Sequence, residues 1–328
     1  MRVLAEVVRK PKFPNNFIVW LAALMICSCS TETALQRLLG ISAAAPVFYG
    51  CKTSAEGEVD FLFSSAVKVV SMYFDPPMEA EALTQGETVK IRYETSQPGG
   101  SKITADLLVE DKDRNTLNIL VNFRTRNNRM PDFVINEIRT SYSKPKVEFI
   151  ELKTLQAGNL GALRLFAAYD KEKEAIFEFP PVEVKAGEYV VVHSRSIESG
   201  LVDETGTTLT ESKGTDASSG RDFWIPGVLK LHSTNAIYAM DQDNRIIDGV
   251  LLVNSKYPWK EPVAAAASLL VSQGAWAEGD GEAVNSDGES VTRTICRGSR
   301  DSNSSSDWYI TVTSGATPGR PNNPGRYR

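Results

Sequence analysis

The chain reads as an all-β protein made of two antiparallel β-sandwiches in tandem, with a short helical insertion in the second. Three observations predict this. Residues 103–123 carry the strongest local signal: Ile103, Ala105, Leu107 and Val109 alternate with polar neighbours, Leu117, Ile119, Val121 and Phe123 do the same, and a polar turn-rich run joins them. Residues 133–166 supply two apolar strands joined by a polar loop, then a turn and a third strand. Beyond a short possible helix at 34–39 in the linker, helical composition is confined to one later run, residues 263–273 (VAAAASLLVSQ).

In chain order, residues 1–28 read as a signal peptide. Arg2, Arg9, Lys10 and Lys12 precede an apolar run at 17–26 that is too short to span a hydrocarbon core of about 30 Å. The run ends Ile26-Cys27-Ser28-Cys29, which resembles a bacterial lipobox; the resemblance implies cleavage before Cys29 and a lipid on that residue. Multiple acylation would hold the protein firmly, since each buried CH₂ contributes about 0.8 kcal/mol. Residues 29–45 then read as the lipidated linker, and the expected location is the cell envelope, facing the periplasm or the cell surface.

Residues 46–130 form the first predicted unit. Segments 58–63, 67–74 and 86–93 alternate with period two, and Val89, Ile91 and Tyr93 point inward while Lys90 and Arg92 point outward. In the hairpin turn, Asp111, Asp113 and Asn115 mimic the start of a calcium loop. Thr116 in place of Gly and Asn122 in place of the closing Glu return it to an ordinary turn. The strand count resembles the immunoglobulin-like modules of bacterial surface proteins. Arg124, Arg126 and Arg129 follow in a dense basic segment, read as a solvated interdomain hinge in preference to a contact for anionic lipid or polymer.

Residues 131–328 form the second unit. FVINEI and VEFIELKTLQAGNLGALRLF, then 184–193 (VKAGEYVVVH), 236–250 with its Ile247-Asp248-Gly249-Val250, and finally Asp307-Trp308 and 316–322 (ATPGRPN), occur in the order of a lamin-tail domain. The chain resembles that family, although the Trp usual near Leu160-Gly161 is missing. The resemblance implies an immunoglobulin-like fold and a role in interaction or membrane tethering. Asp248-Gly249 and Asp243-Asn244 also read as hairpin turn pairs.

Two insertions, 198–226 and 256–289, are longer than ordinary loops. They place Phe223, Trp224, Tyr257, Trp259 and Trp276 on or beside loops, where they are the candidate partner-binding residues. The competing reading has these aromatics pinning the loops to the core.

The chemistry-bearing residues are few. The 328 residues hold two histidines and four cysteines, with 42% apolar and 23% charged residues and a net charge of −5. That charge supplies no global attraction to nucleic acid, which is not the expected partner. Asn136, Glu137, Glu148 and Glu151 allow a carboxylate site, but strand-edge and turn duties are the favoured reading. No metal or other cofactor is expected. A carboxylate- or calcium-dependent hydrolase using Glu137, Glu148 and Asp248 is the alternative, and requires those acids to converge in one pocket with a raised pKa or a metal. Arg124, Arg126, Arg129, Arg320, Arg326 and Arg328 are what a nucleic-acid role would need. Cys51 and Cys296 are either buried free thiols or a disulfide. The expectation is therefore a non-enzymatic envelope lipoprotein that binds an unidentified protein or envelope polymer.

Overall fold

The computed structural model describes residues 44–94, 96–169, 174–277 and 282–328. The signal peptide, Cys29, nearly all of the linker and most of the acidic segment near residue 280 lie outside these residues.

The all-β expectation is met. The first unit holds β1 (Phe48–Ala55), β2 (Glu58–Asp75), β3 (Ala80–Ala82), β4 (Gly86–Tyr93), β5 (Lys102–Asp111) and β6 (Thr116–Arg124). They form one continuous sheet of order β3-β4-β2-β5-β6, with β1 also paired to β2. The segments expected at 58–63 and 67–74 are a single 18-residue strand. Ser64-Ser65 does not turn the chain, because the Ser64 hydroxyl accepts the Val47 N–H at 2.9 Å and the strand passes the site as a bulge. The first half of β2 pairs with β1 and β4 and the second half with β5, so the sheet coils over one core. Val59, Phe61, Ile91, Ile103, Leu107 and Phe123 meet there, the inward set of each alternating strand.

The second unit holds β7 (Phe133–Arg139), β8 (Phe149–Thr154), β9 (Gly158–Asn159), β10 (Arg164–Ala167), β11 (Phe177–Glu178), β12 (Glu183–Val184), β13 (Tyr189–His193), β14 (Arg221–Trp224), β15 (Asn235–Met240) and β16 (Ile246–Val253). Helix α1 (Glu261–Ser272), β17 (Val284–Asn285), β18 (Ile295–Arg297) and β19 (Trp308–Ile310) complete it. One sheet runs β14-β13-β8-β7-β18-β19 and a second β11-β10-β15-β16-β17, while β9 and β12 pair as a separate two-stranded sheet. Ile135, Ile138, Ile150, Leu152, Val190 and Val192 from the first sheet meet Leu165, Ile237, Val250 and Leu252 from the second in a single core. Helix α1 starts with Pro262 in its first turn, where the missing N–H costs nothing, and buries Val263, Ala266, Ala267 and Leu270.

Asp248-Gly249 is not a turn. Both residues lie inside β16, paired opposite Ala239 and Tyr238, while the turn falls at 241–245 with Asn244 at φ 62°. Local propensity loses to tertiary duty here. Asp248 crosses between the sheets to accept the Ile135 N–H at 2.6 Å and two bonds from Arg297 at 2.8 and 2.6 Å. Gly249 leaves room for Leu270 of α1, which a Cβ would strike.

Residues 124–130, expected as a hinge, are a fixed junction. The buried Asn127 amide donates to the Asn159 and Gly161 carbonyls, both at 2.8 Å, while its backbone N–H donates to Gln242 Oε1 at 2.8 Å. Gln242 in turn donates to the Thr125 carbonyl at 2.8 Å. Gly100, at φ 83°, lies so close to Gly161 that any side chain would overlap its backbone. Gly100→Ala should therefore cost about 1–3 kcal/mol and speed proteolysis within 124–130. Gly187→Ala, with a similar φ of 79° but open space around it, should leave that cleavage rate unchanged.

Candidate functional site

The predicted aromatic surface is the first thing the structure redistributes. Phe223 is fully buried among Phe177 and Phe179, and Trp276 is 2% exposed. Trp224 is 6% exposed; it stacks on His193 with ring centroids 4.0 Å apart and donates its indole N–H to Ser212 at 2.9 Å. Trp259 is half-buried against the core and donates to the Leu252 carbonyl at 3.3 Å. Tyr257 alone of the five is open, at 54% exposure. Phe223, Trp224 and Trp276 are thus not a partner-binding surface. They anchor the insertions, because burying an aromatic and satisfying its polar edge fixes a loop that lacks a ladder of its own.

The carboxylates expected near the opening of the second unit do come together, in part. The register sets Glu137 of β7 opposite Glu151 of β8 and opposite Cys296 of β18, on the sheet face turned away from the core. Val147, Phe149 and Glu151 share that side, as their alternation predicts. Glu137 accepts bonds from the Thr294 hydroxyl at 2.5 Å, the Thr317 N–H at 3.0 Å and the Thr317 hydroxyl at 3.0 Å. Glu151 accepts from Asn136 at 2.6 Å and from the Gly319 N–H at 2.5 Å. Burial pushes both carboxyls above the ordinary range, and the charge of Glu137 raises Glu151 further.

These acids clasp the carboxy-terminal tail. Asn322 adds bonds to the Asn136 carbonyl at 3.1 Å and the Arg297 carbonyl at 2.9 Å. Gly319, at φ 79°, packs backbone to backbone on Gly220. The insertion covers the neighbouring strip of the same face: Glu204 accepts the Asp222 N–H at 2.8 Å, and the Asp222 carboxylate accepts from His193 Nε2 at 2.9 Å.

The other two acids of the hydrolase alternative have different partners. Glu148 is paired with Arg195, and Asp248 with Arg297. Among the described residues no group of three or more His, Cys, Asp and Glu is placed to hold a metal. Cys51 and Cys296 are free thiols, and burial pushes both thiols up.

Sequence reasoning passed over the cleft at the junction. Arg124 makes a bidentate pair with Glu178 (2.9 and 2.6 Å), Arg126 with Asp243 (2.8 and 2.6 Å) and Arg129 with Glu183 (3.0 and 2.9 Å). Arginine suits this work because its planar fork matches a carboxylate. The partly exposed pairs orient the units more than they stabilise them, since such bridges are worth about 0–1 kcal/mol each. The buried Asn127 amide, whose loss would strand two carbonyls, carries more. Beside the first two pairs lies a cleft of about 240 Å³, to which Lys52 of β1 and Arg164 of β10 also contribute. No signal in the local sequence marks it, because its walls come from five separate segments.

Comparison with known proteins bears on the second unit. The family model TP_1001_2nd, described as "protein second domain", matches residues 131–310, more than half of the chain. The chain belongs to this family. The TP_1001_2nd match opens just before β7 and closes at the end of β19, so it holds both sheets and stops short of the clasped tail. An uncharacterized protein of Treponema pallidum (strain Nichols) is 30% identical over 157 residues, which is 43% of this chain and 39% of that protein. The chain thus spans well under half the length of this curated relative. No solved structure matches.

Two outcomes follow from this geometry. Trp224→Ala should destabilise the second unit by about 3–5 kcal/mol, read by denaturant unfolding, whereas Tyr257→Ala should change it by no more than about 0.5 kcal/mol. Arg126 holds the Asp243 carboxyl below its ordinary range, so the folded value is depressed. Its contribution is then present above about pH 4 and lost as pH falls through the lowered value. The thermal midpoint of Asp243→Asn should accordingly fall less between pH 5 and pH 3 than that of the wild type.

Proposed function

We propose that this chain is a non-enzymatic, membrane-anchored envelope lipoprotein, whose immunoglobulin-like and lamin-tail-like units act together as a binding and structural module. The observation that carries the reading is the junction. Two units joined by a buried amide, a glycine-on-glycine contact and three bidentate arginine pairs present their surfaces in a fixed relation, as a scaffold needs. The buried acids of the second unit support it as well. Glu137 and Glu151 hold the tail, Glu148 and Asp248 hold arginines, and each is engaged in packing the molecule.

The lamin-tail reading draws on the docking of its sequence blocks upon one another. The INEI strand binds the TPGRPN tail through Glu137 and Asn136, and the Ile247-Asp248-Gly249-Val250 block binds β7 and β18 through Asp248. Membrane attachment would come from a lipid on Cys29. Among the described residues no helix is long and apolar enough to cross a membrane. The partner class is a protein or an envelope polymer. The nucleic-acid alternative is weakened by the pairing of Arg124, Arg126 and Arg129 with carboxylates.

The test is metabolic acyl labelling of cells producing the wild type or Cys29→Ala. Label is expected on the wild type and absent from the variant. An unlabelled wild type overturns the anchor, and protection of a labelled protein from protease added to intact cells overturns display at the cell surface.

A further inference from the structure

The cleft at the junction holds more positive charge than the junction uses. Four cations line it, and two are neutralised: Arg124 by Glu178 and Arg126 by Asp243. Arg164 donates to the Asp241 carbonyl at 2.7 Å and to Asn244 Oδ1 at 2.8 Å, both neutral oxygens. Lys52 is exposed on β1 and, among the described residues, forms no ion pair; its charge acts on Asp243 only from a distance, behind that of Arg126. Two acids against four cations leave an excess of about two positive charges, contributed by Lys52 from the first unit and Arg164 from the second.

The excess is held in a shaped concavity. The two arginine forks fix its walls, and the volume of about 240 Å³ admits a small polar group and a few attached atoms. Clefts between structural units are favoured ligand positions. A carboxylate would neutralise one charge, whereas a phosphate monoester carries about −1.5 to −2 near neutral pH and matches the excess.

We propose that this cleft binds a phosphomonoester group, with Lys52 supplying a point charge from one unit and Arg164 a donor fork from the other. The inference rests on the binding-module reading but not on the lipid anchor. It gives the fixed junction a purpose, because two cations on separate units bind one dianion well only when their spacing is preset.

The experiment is calorimetric titration of the purified full-length chain in detergent with glycerol phosphate, at low and at physiological salt. Saturable binding that weakens with salt is expected. Lys52→Gln and Arg164→Gln should each weaken it about tenfold. Lys68→Gln, which removes a cation of β2 paired to Glu110 outside the cleft, should leave it unchanged. Thermal midpoints close to that of the wild type will show that the exposed Lys52 and half-buried Arg164 variants are folded.

A second arm, co-sedimentation with phosphatidylcholine vesicles containing phosphatidic acid, separates the sources of the group. Vesicle binding that glycerol phosphate displaces and Lys52→Gln weakens assigns the site to a lipid headgroup. Binding of glycerol phosphate without vesicle binding assigns it to a soluble or polymer-borne phosphate. Absence of both, or binding that Lys68→Gln weakens as much as Lys52→Gln, overturns the proposal. Loss of acyl label with phosphate binding retained would remove the anchor and leave the cleft standing.

Discussion

The second unit is organised by the cost of placing ionisable groups on the wrong side of a sheet. Its six-stranded sheet has an apolar inner face, but Glu137, Arg139, Glu151, His193 and Cys296 line much of the other side, and all five are buried. A buried charge without partners costs several kcal/mol, so that face cannot be left to chance contacts. The long insertion and the tail meet this demand. Arg139 finds Asp216 and the Val147 carbonyl, Asp222 finds His193, and the tail brings Thr317 and Gly319 to the acids and Asn322 to Asn136. The insertion therefore reads as a third layer of the fold, which explains why Trp224 at its end is packed inside.

Polar satisfaction also decides how the two units meet. Each core is closed within its own unit, so hydrophobic burial is not what joins them. The contact is instead made of backbone carbonyls, an asparagine, a glutamine and three guanidinium forks. Such an interface is specific in geometry and modest in energy. Beside it the charge is deliberately incomplete, a combination more typical of a site that receives something than of one that merely holds.

How far the sequence foretold this depends on the range of each interaction. Alternation is local, so the β5–β6 hairpin, β4, β7 and β8 were legible, and the alanine-rich run became α1 within about two residues. Strand β1 was missed because an irregularity near its start breaks the alternation and because Gly50 and Lys52 are poor strand formers. The clasp was invisible for a different reason: Glu137 and Thr317 are 180 residues apart, and Arg126 and Asp243 are 117 apart. The sequence left the loop aromatics open between binding and anchoring, because periodicity does not say what covers a loop; Phe223, Trp224 and Trp276 anchor, and Tyr257 is exposed. Asp248-Gly249 was misread because a favourable turn pair here serves inside a strand, Asp248 bonding Arg297 and Gly249 admitting Leu270.

The tail clasp bears on where this domain ends. Similarity to the family stops at residue 310, yet the groups that complete the sheet face come from residues 317–322. Heredity and folding therefore draw the border at different places. A fragment cut at the inherited border would keep every strand and still uncover two carboxylates, an asparagine and the backbone of Gly220, none of them chosen to meet water. The eighteen residues after Ile310 act like the last stave that closes a barrel, and the cooperative unit extends past the segment that relatives are recognised by.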